Sequence, residues 1–154
     1  MSTEIDSRLY PARPILAASV AVFRDGRVLL ASRTKPPGDA LFSLPGGLVE
    51  PGETLTQAAL RELMEEVQVE ARILGFNQHV EVVEHDDAGR VRRHFVVANF
   101  AAHWVSGEPQ CGPEAGAVLW ADPEKLGGLA LTRGLAPVLR SAWQIVQGVA
   151  EAGK

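Results

Sequence analysis

Residues 15–23, ILAASVAVF, form an apolar run rich in small and β-branched side chains, as a buried strand requires. Asp25-Gly26 is a two-residue hairpin signal, and RVLLASR at 27–33 reads as the returning strand. KPPGDA at 35–40 is a loop by its prolines and glycine, and LFSLPGG leads out of it. Thr54 has the character of an N-cap, and Leu55 to Val67 holds neither Gly nor Pro, so a helix is predicted there. Residues 71–85 read as a long strand, DDAG as a turn and residues 90–104 as its antiparallel partner. SGEPQCGPEAG at 106–116 is a second loop, AVLWAD at 117–122 a short strand and PEKL a turn. From Thr132 to about Val149 the apolar positions Leu135, Val138, Leu139, Ala142, Ile145, Val146 and Val149 fall on one helical stripe. Pro137 stands near its start, where a missing N–H costs least. Strands, helix, strands, helix predicts an α/β (α+β) chain with segregated helices rather than alternating βαβ units.

Composition adds bounds. A length of 154 residues favours one domain, 1–154, with its core at about 14–150. Hydrophobic residues make up 46% and the formal net charge is −4, so no bulk electrostatic attraction to nucleic acid or membrane is expected. No apolar run approaches the roughly 20 residues of a membrane span. The single cysteine, Cys111, reads as a loop spectator in a reducing compartment. MSTEIDSRLYPARP lacks the apolar stretch of a secretory signal. A cytoplasmic protein is expected.

The chemistry concentrates in GGLVEPGETLTQAALRELMEEVQV, residues 46–69. On the predicted helix Glu62, Glu65 and Glu66 share an arc of roughly 100°, opposite Leu60, Leu63 and Val67. An acidic solvated face is the ordinary reading. Here it carries two penalties. Glu62 repels Glu65 at i+3 and Glu66 at i+4, and the C-terminal end of the helix dipole disfavours all three. Arg61 and the acids of the preceding loop read as unable to neutralise the cluster. A cation among the carboxylates would resolve the conflict. All-oxygen ligands without His or Cys point to Mg²⁺ or Mn²⁺. Gly46-Gly47 allows close backbone approach to a ligand and offers a carbonyl to the ion. Glu50 and Glu53 flank the turn at Pro51-Gly52, and an Arg61–Glu53 pair would hold that loop on the helix.

From Gly47 the chain runs five residues to Glu53 and seven more to Arg61-Glu62, then Leu63, Met64, Glu65, Glu66, Val67, Gln68 and Val69. This resembles the Nudix box, Gly-x5-Glu-x7-Arg-Glu-U-x-Glu-Glu-x-Gly-U with U aliphatic. Every position agrees except Gln68, where the family has glycine. LFSLPGG before the box, HFVVANF after it and VLWAD near the end also look family-like, so the resemblance covers most of 14–146. It implies a Nudix fold, a mixed sheet between helices. It also implies metal-dependent cleavage of a nucleoside diphosphate linked to another group, as in small MutT-like ADP-ribose or sugar-nucleotide hydrolases. The alternatives are a nucleoside triphosphate pyrophosphohydrolase and a non-catalytic nucleotide-sensing module.

By this resemblance Glu62, Glu65, Glu66 and the Gly46 carbonyl hold the metal, with Glu65 and Glu66 the firmest ligands and Glu62 ligand or base. Glu53 and Arg61 support them, and Gly46, Gly47 and Arg33 meet the nucleotide phosphates. A further acid from outside the box is expected at Glu114, delivered by a flexible closing loop, with Glu81 and Glu84 as rivals. At most one of Arg92 and Arg93 would face the site. His94, Trp104 and Trp120 read as structural. A glycine at position 68 would close the helix in a left-handed conformation. Gln68 must adopt it at about 1–2 kcal/mol, or the exit is rebuilt. The partner is a nucleotide-type small molecule, and a homodimer is left open.

Overall fold

Alternating apolar positions in the first run have two faces to fill, and the chain fills them with one helix each. The computed structural model describes residues 8–34 and 40–153. The loop expected at 35–40 therefore lies, Ala40 apart, outside the described residues. β1 (Ile15–Arg24) and β2 (Arg27–Arg33) form an antiparallel hairpin. Its turn takes positive φ at Asp25 (51°) and Gly26 (77°), the geometry that a two-residue turn between right-twisted strands requires. β3 (Phe42–Ser43) and β4 (Gly46–Leu48) follow, then α1 (Leu55–Val67), β5 (Glu70–His85), β6 (Val91–Ser106), β7 (Ala115–Ala121) and α2 (Leu135–Ala152).

The sheet runs in the order β3-β2-β1-β6-β5, with β4 on β1 and β7 on β2. β1 and β6 are parallel, Ile15 opposite Phe95 through Phe23 opposite His103; the other pairs are antiparallel. The sheet is mixed and its two faces are covered separately. Ala18, Val20 and Val22 pack with Ala98, Phe100 and Ala102 against Ala59, Leu63 and Val67 of α1. Ala21, Phe23 and Ala101 pack against Leu135, Leu139 and Ala142 of α2. Val149, at the end of the predicted stripe, is exposed.

α1 begins as predicted. The Thr54 hydroxyl accepts from the Gln57 N–H (3.2 Å), and the Gln57 side chain accepts from the Thr54 N–H (2.9 Å), a reciprocal cap. It ends with Gln68 itself left-handed, φ 62° and ψ 40°, so the missing glycine has not rebuilt the exit. Its N–H donates to the Met64 carbonyl, and the Gln110 N–H reaches the Val67 carbonyl, each at 3.0 Å. These bonds occupy carbonyls that a helix end otherwise leaves bare. Gly107 packs so closely on the Gln68 carbonyl that a Cβ there would collide with it.

α2 starts three residues later than predicted. The Thr132 N–H donates to the Phe42 carbonyl (3.0 Å) and its hydroxyl bonds Ser43 (3.2 Å), which ties it to β3. Gly134, at φ 79°, then opens the helix. The last strand begins at Ala115, two residues earlier than predicted. Among the described residues no helix is long and apolar enough to cross a membrane.

Candidate active site

Arg61 organises the turn before α1 and the carboxylates on it. Its Nε and Nη2 grip both oxygens of Glu53 (2.6 and 3.0 Å), and Nη2 also donates to the Leu48 carbonyl (3.0 Å). The fork is the geometry that guanidinium and carboxylate share. Glu53 in turn accepts from the Glu50 N–H (3.0 Å), across a turn that Gly52 enters at φ 88°. Arg61 holds the Glu53 carboxyl down to about 2, with help from the Glu50 N–H. Glu53 in turn pushes the guanidinium well above its ordinary range. The loop is thus clamped to the helix by the predicted Arg61–Glu53 pair.

The remaining Arg61 nitrogen corrects one expectation. Nη1 donates to Glu62 (3.0 Å) and to Glu65 (3.1 Å), so Arg61 does partly neutralise the cluster, on the side facing the loop. Glu65 is the more exposed of the two and is drawn to that outer side. The acids that converge are Glu62, Glu66 and Glu114, each with an oxygen within 4.8 Å of the others. Of the two residues expected as firmest ligands, only Glu66 stands in this group.

The glycines explain how the group fits. Gly47 pairs with Ala18 in the sheet, and a Cβ on it would occupy the space of the Glu62 carboxylate. A Cβ on Gly46 would strike the Ala18 carbonyl and Ser19. Two bare Cα positions therefore let β4 close on β1 and α1 close on β4. The contact seen at Gly46 is through its N–H, which donates to Glu66 Oε1 (3.3 Å).

Burial is the main force on these acids. It raises the Glu66 carboxyl to about 8, and the neighbouring Glu62 charge adds to the rise. Glu62 is also raised, by burial first, against the opposing pull of Arg61. Two half-buried carboxyls pressed together hold on to protons in this way, and a cation placed among them would reverse the effect. The donor set fits such an ion: three carboxylates, all hard oxygen, with no His or Cys among them.

Glu114 arrives from across the sheet. It precedes Ala115, which pairs with Arg33 at the end of β2. The loop that carries it is pinned rather than free. Trp104 donates to the Gly107 carbonyl (2.8 Å), Arg24 bonds Glu108 (2.9 Å), Gln110 caps α1, and Thr34 donates to the Pro113 carbonyl (2.8 Å). Gly112 and Ala115 close it by paired backbone bonds. These bonds set where Glu114 stands in this conformation. Sequence reading passed over Thr34, an ordinary polar residue at the end of a strand.

The rivals lie elsewhere. Glu81 bonds its own neighbour His79 (3.2 Å), and Glu84 bonds Arg93 (3.0 Å). Arg92 is exposed beside the N-terminal segment, its carbonyl accepting from the Tyr10 N–H. His94 sits in the ladder opposite Val83. Trp104 and Trp120 pack against the core, as expected, and the Arg24 guanidinium lies 3.8 Å from the centre of the Trp104 ring. Cys111 is exposed in the loop. Sequence reading also missed a buried polar chain. Asn99 donates to the Ser19 hydroxyl and accepts from Asn77, which donates also to the Val138 carbonyl of α2 (2.9, 2.9 and 3.0 Å). Its one signal was a lone Asn inside VVANFAA.

Residues 13–142 match the family model described as the NUDIX domain. The chain belongs to the NUDIX family. An ADP-ribose pyrophosphatase of Methanocaldococcus jannaschii is 30% identical over 123 residues, 80% of this chain and 70% of that one. A CTP pyrophosphohydrolase of Escherichia coli is 32% identical over 126 residues, 80% and 84% respectively. Among solved structures, a MutT NUDIX hydrolase from Burkholderia pseudomallei aligns at a TM-score of 0.66 and 30% identity, covering 84% of this chain and 98% of that one. This NUDIX chain is accordingly a hydrolase of the pyrophosphohydrolase kind.

Proposed function

We propose that the protein hydrolyses the diphosphate of a nucleoside diphosphate linked to a second group, of the ADP-ribose or sugar-nucleotide kind, with Mg²⁺ or Mn²⁺. The observation that carries the reading is the meeting of Glu62, Glu66 and Glu114 within 4.8 Å, where the bare Cα of Gly47 admits the Glu62 carboxylate. A divalent cation bound there would neutralise the diphosphate and lower the pKa of a bound water.

The chain's own residues divide the remaining work. Glu62 and Glu66 hold the cation from the helix. Gly46 and Gly47 would offer backbone to the phosphates, and Arg33, which pairs with Ala115 next to Glu114, would meet them from the end of β2. Arg61 acts through Glu53 and Glu62, locking the turn and the first carboxylate in position. Glu114 is the exposed member of the trio. It takes the proton of the attacking water. Hydrolysis at phosphorus asks mainly for positioning and charge stabilisation, which suits a site with no built nucleophile.

The second reading, a nucleoside triphosphate pyrophosphohydrolase, is favoured by the likeness to a CTP pyrophosphohydrolase. Chromatographic measurement of nucleoside monophosphate formed decides between them: ADP-ribose and nucleotide sugars against CTP and the deoxynucleoside triphosphates, with Mg²⁺ and Mn²⁺. The reading expects kcat/KM to be highest for a diphosphate diester. Highest turnover on a triphosphate would replace it with the second.

A further inference from the structure

β5 is the outer edge of the sheet, and an outer strand presents unpaired N–H and C=O groups that a second strand can use. Proteins blunt such edges with bulges, proline or charged side chains, lysine above all. β5, EARILGFNQHVEVVEH, contains neither proline nor lysine. Its irregularities fall at Glu70/Ala71, Ile73/Gly75 and Phe76/Gln78, and then only at Glu84/His85. Among the described residues the stretch Gln78–Glu84 is therefore a regular edge seven residues long, with Glu81 and Glu84 as its charges. The bonds that α2 makes to β5 stop at Asn77 and Gln78. Beyond them the strand carries exposed apolar residues, Val82 and Val83, with Leu16 on the neighbouring face.

This stretch is complementary to itself. His79 and Glu81 lie on either side of Val80 on the same face, opposite Ala98 and Val96 of β6, and each side chain is 62% exposed. Two copies laid antiparallel about Val80 set His79 against Glu81 of the second copy, twice. They also set Gln78 against Val82, and Val80 against itself. Moving the centre one residue either way opposes two glutamates or two histidines, and like groups directly opposite are unfavourable. A twofold axis perpendicular to the sheet keeps the helices of both copies on their own faces and makes the contact isologous.

We propose that residues 78–82 of β5 are a homodimer interface, in which two copies of this chain join their sheets by antiparallel pairing centred on Val80. The interface is small, so assembly depends on concentration. It leaves the α1 carboxylates out of the contact, and it stands or falls independently of the substrate reading.

Sedimentation of the full chain over a wide dilution series tests it. The expected mass rises from one 16.5 kDa chain to twice that value. Glu81→Arg, on an exposed side chain, should weaken the dimer about tenfold, since two cross-strand His79–Glu81 pairs are lost. Its activity per chain should be unchanged. In a Cys111→Ser background, Val80→Cys should cross-link into a covalent dimer on oxidation, because directly opposed residues of neighbouring strands come within disulfide reach. Val149→Cys, exposed on α2, should not. A monomer at every concentration, or a dimer that neither cross-links through Val80→Cys nor responds to Glu81→Arg, overturns the proposal.

Discussion

Replacing Glu66 by glutamine should abolish hydrolysis and yet stabilise the metal-free protein. Burial and the Glu62 charge hold the Glu66 carboxyl at about 8, against an ordinary 4.5. The folded state therefore binds more protons than the unfolded state between these two values. Linkage then makes wild-type stability fall as pH rises from about 4.5 to about 8, and level off above. At roughly 1.4 kcal/mol per pKa unit, the ceiling on the cost above pH 8 is just under 5 kcal/mol. Water reaching the exposed Glu114 side screens part of it, and about 1–3 kcal/mol is the expected size. Glutamine removes the charge and keeps an oxygen for the Gly46 N–H, which Glu66 now accepts at 3.3 Å.

Denaturation in EDTA across pH 5 to 8.5 is the assay. Glu66→Gln should match wild type near pH 5 and exceed it by about 1–3 kcal/mol at pH 8, or roughly 3–10 °C in Tm for a chain of this size. Saturating Mg²⁺ should then reverse the order, since a ligand bound only by folded wild type at 100 times its Kd contributes about 2.7 kcal/mol. A variant less stable than wild type at pH 8 in EDTA, or a gain of the same size at pH 5, would show that Glu66 holds the fold together and that the charge argument is wrong.

Further outcomes follow from the same site. Activity should vanish in excess EDTA and return with Mg²⁺ or Mn²⁺; turnover that survives chelation removes the cation from the reaction. Glu114→Gln should lower kcat on the order of 10²-fold with little change in KM or in the Mg²⁺ concentration required, as loss of a proton acceptor predicts. If saturating Mg²⁺ restores its rate, Glu114 is a ligand instead. Glu65→Gln, drawn outward by Arg61, should stay within about tenfold of wild type while Glu62→Gln loses on the order of 10²-fold or more; equal losses would place Glu65 among the ligands. Arg61→Lys should fail to rescue Arg61→Ala, because an ammonium cannot span Glu53, Glu62, Glu65 and the Leu48 carbonyl together. A lysine variant with wild-type stability and rate would reduce Arg61 to a simple charge.

What the sequence made legible is what lies close along the chain. The carboxylates of α1 are one helical turn apart, so periodicity alone put Glu62, Glu65 and Glu66 on one arc. It could not say which edge of that arc faces inward. The choice depends on Gly47, whose bare Cα admits Glu62, and on Arg61, which draws Glu65 outward. β3 and β4, two and three residues long, carry no period to read, and Thr132 looked like the start of α2 because its partner Phe42 lies 90 residues away. The parallel pairing of β1 with β6 is equally invisible, since apolar runs do not announce their neighbours. Glu114 shows the limit most clearly. Its glycines and prolines read as a mobile loop, and by composition they are. It is held by Thr34, Arg24, Trp104 and the end of α1, groups spread over most of the chain. Turn composition reports what a segment can do alone, and the position of Glu114 is set by bonds from the rest of the fold. Three carboxylates brought together by such remote restraints repel one another without a ligand. A divalent cation among them would relieve that repulsion, which is the physical reason to expect one there.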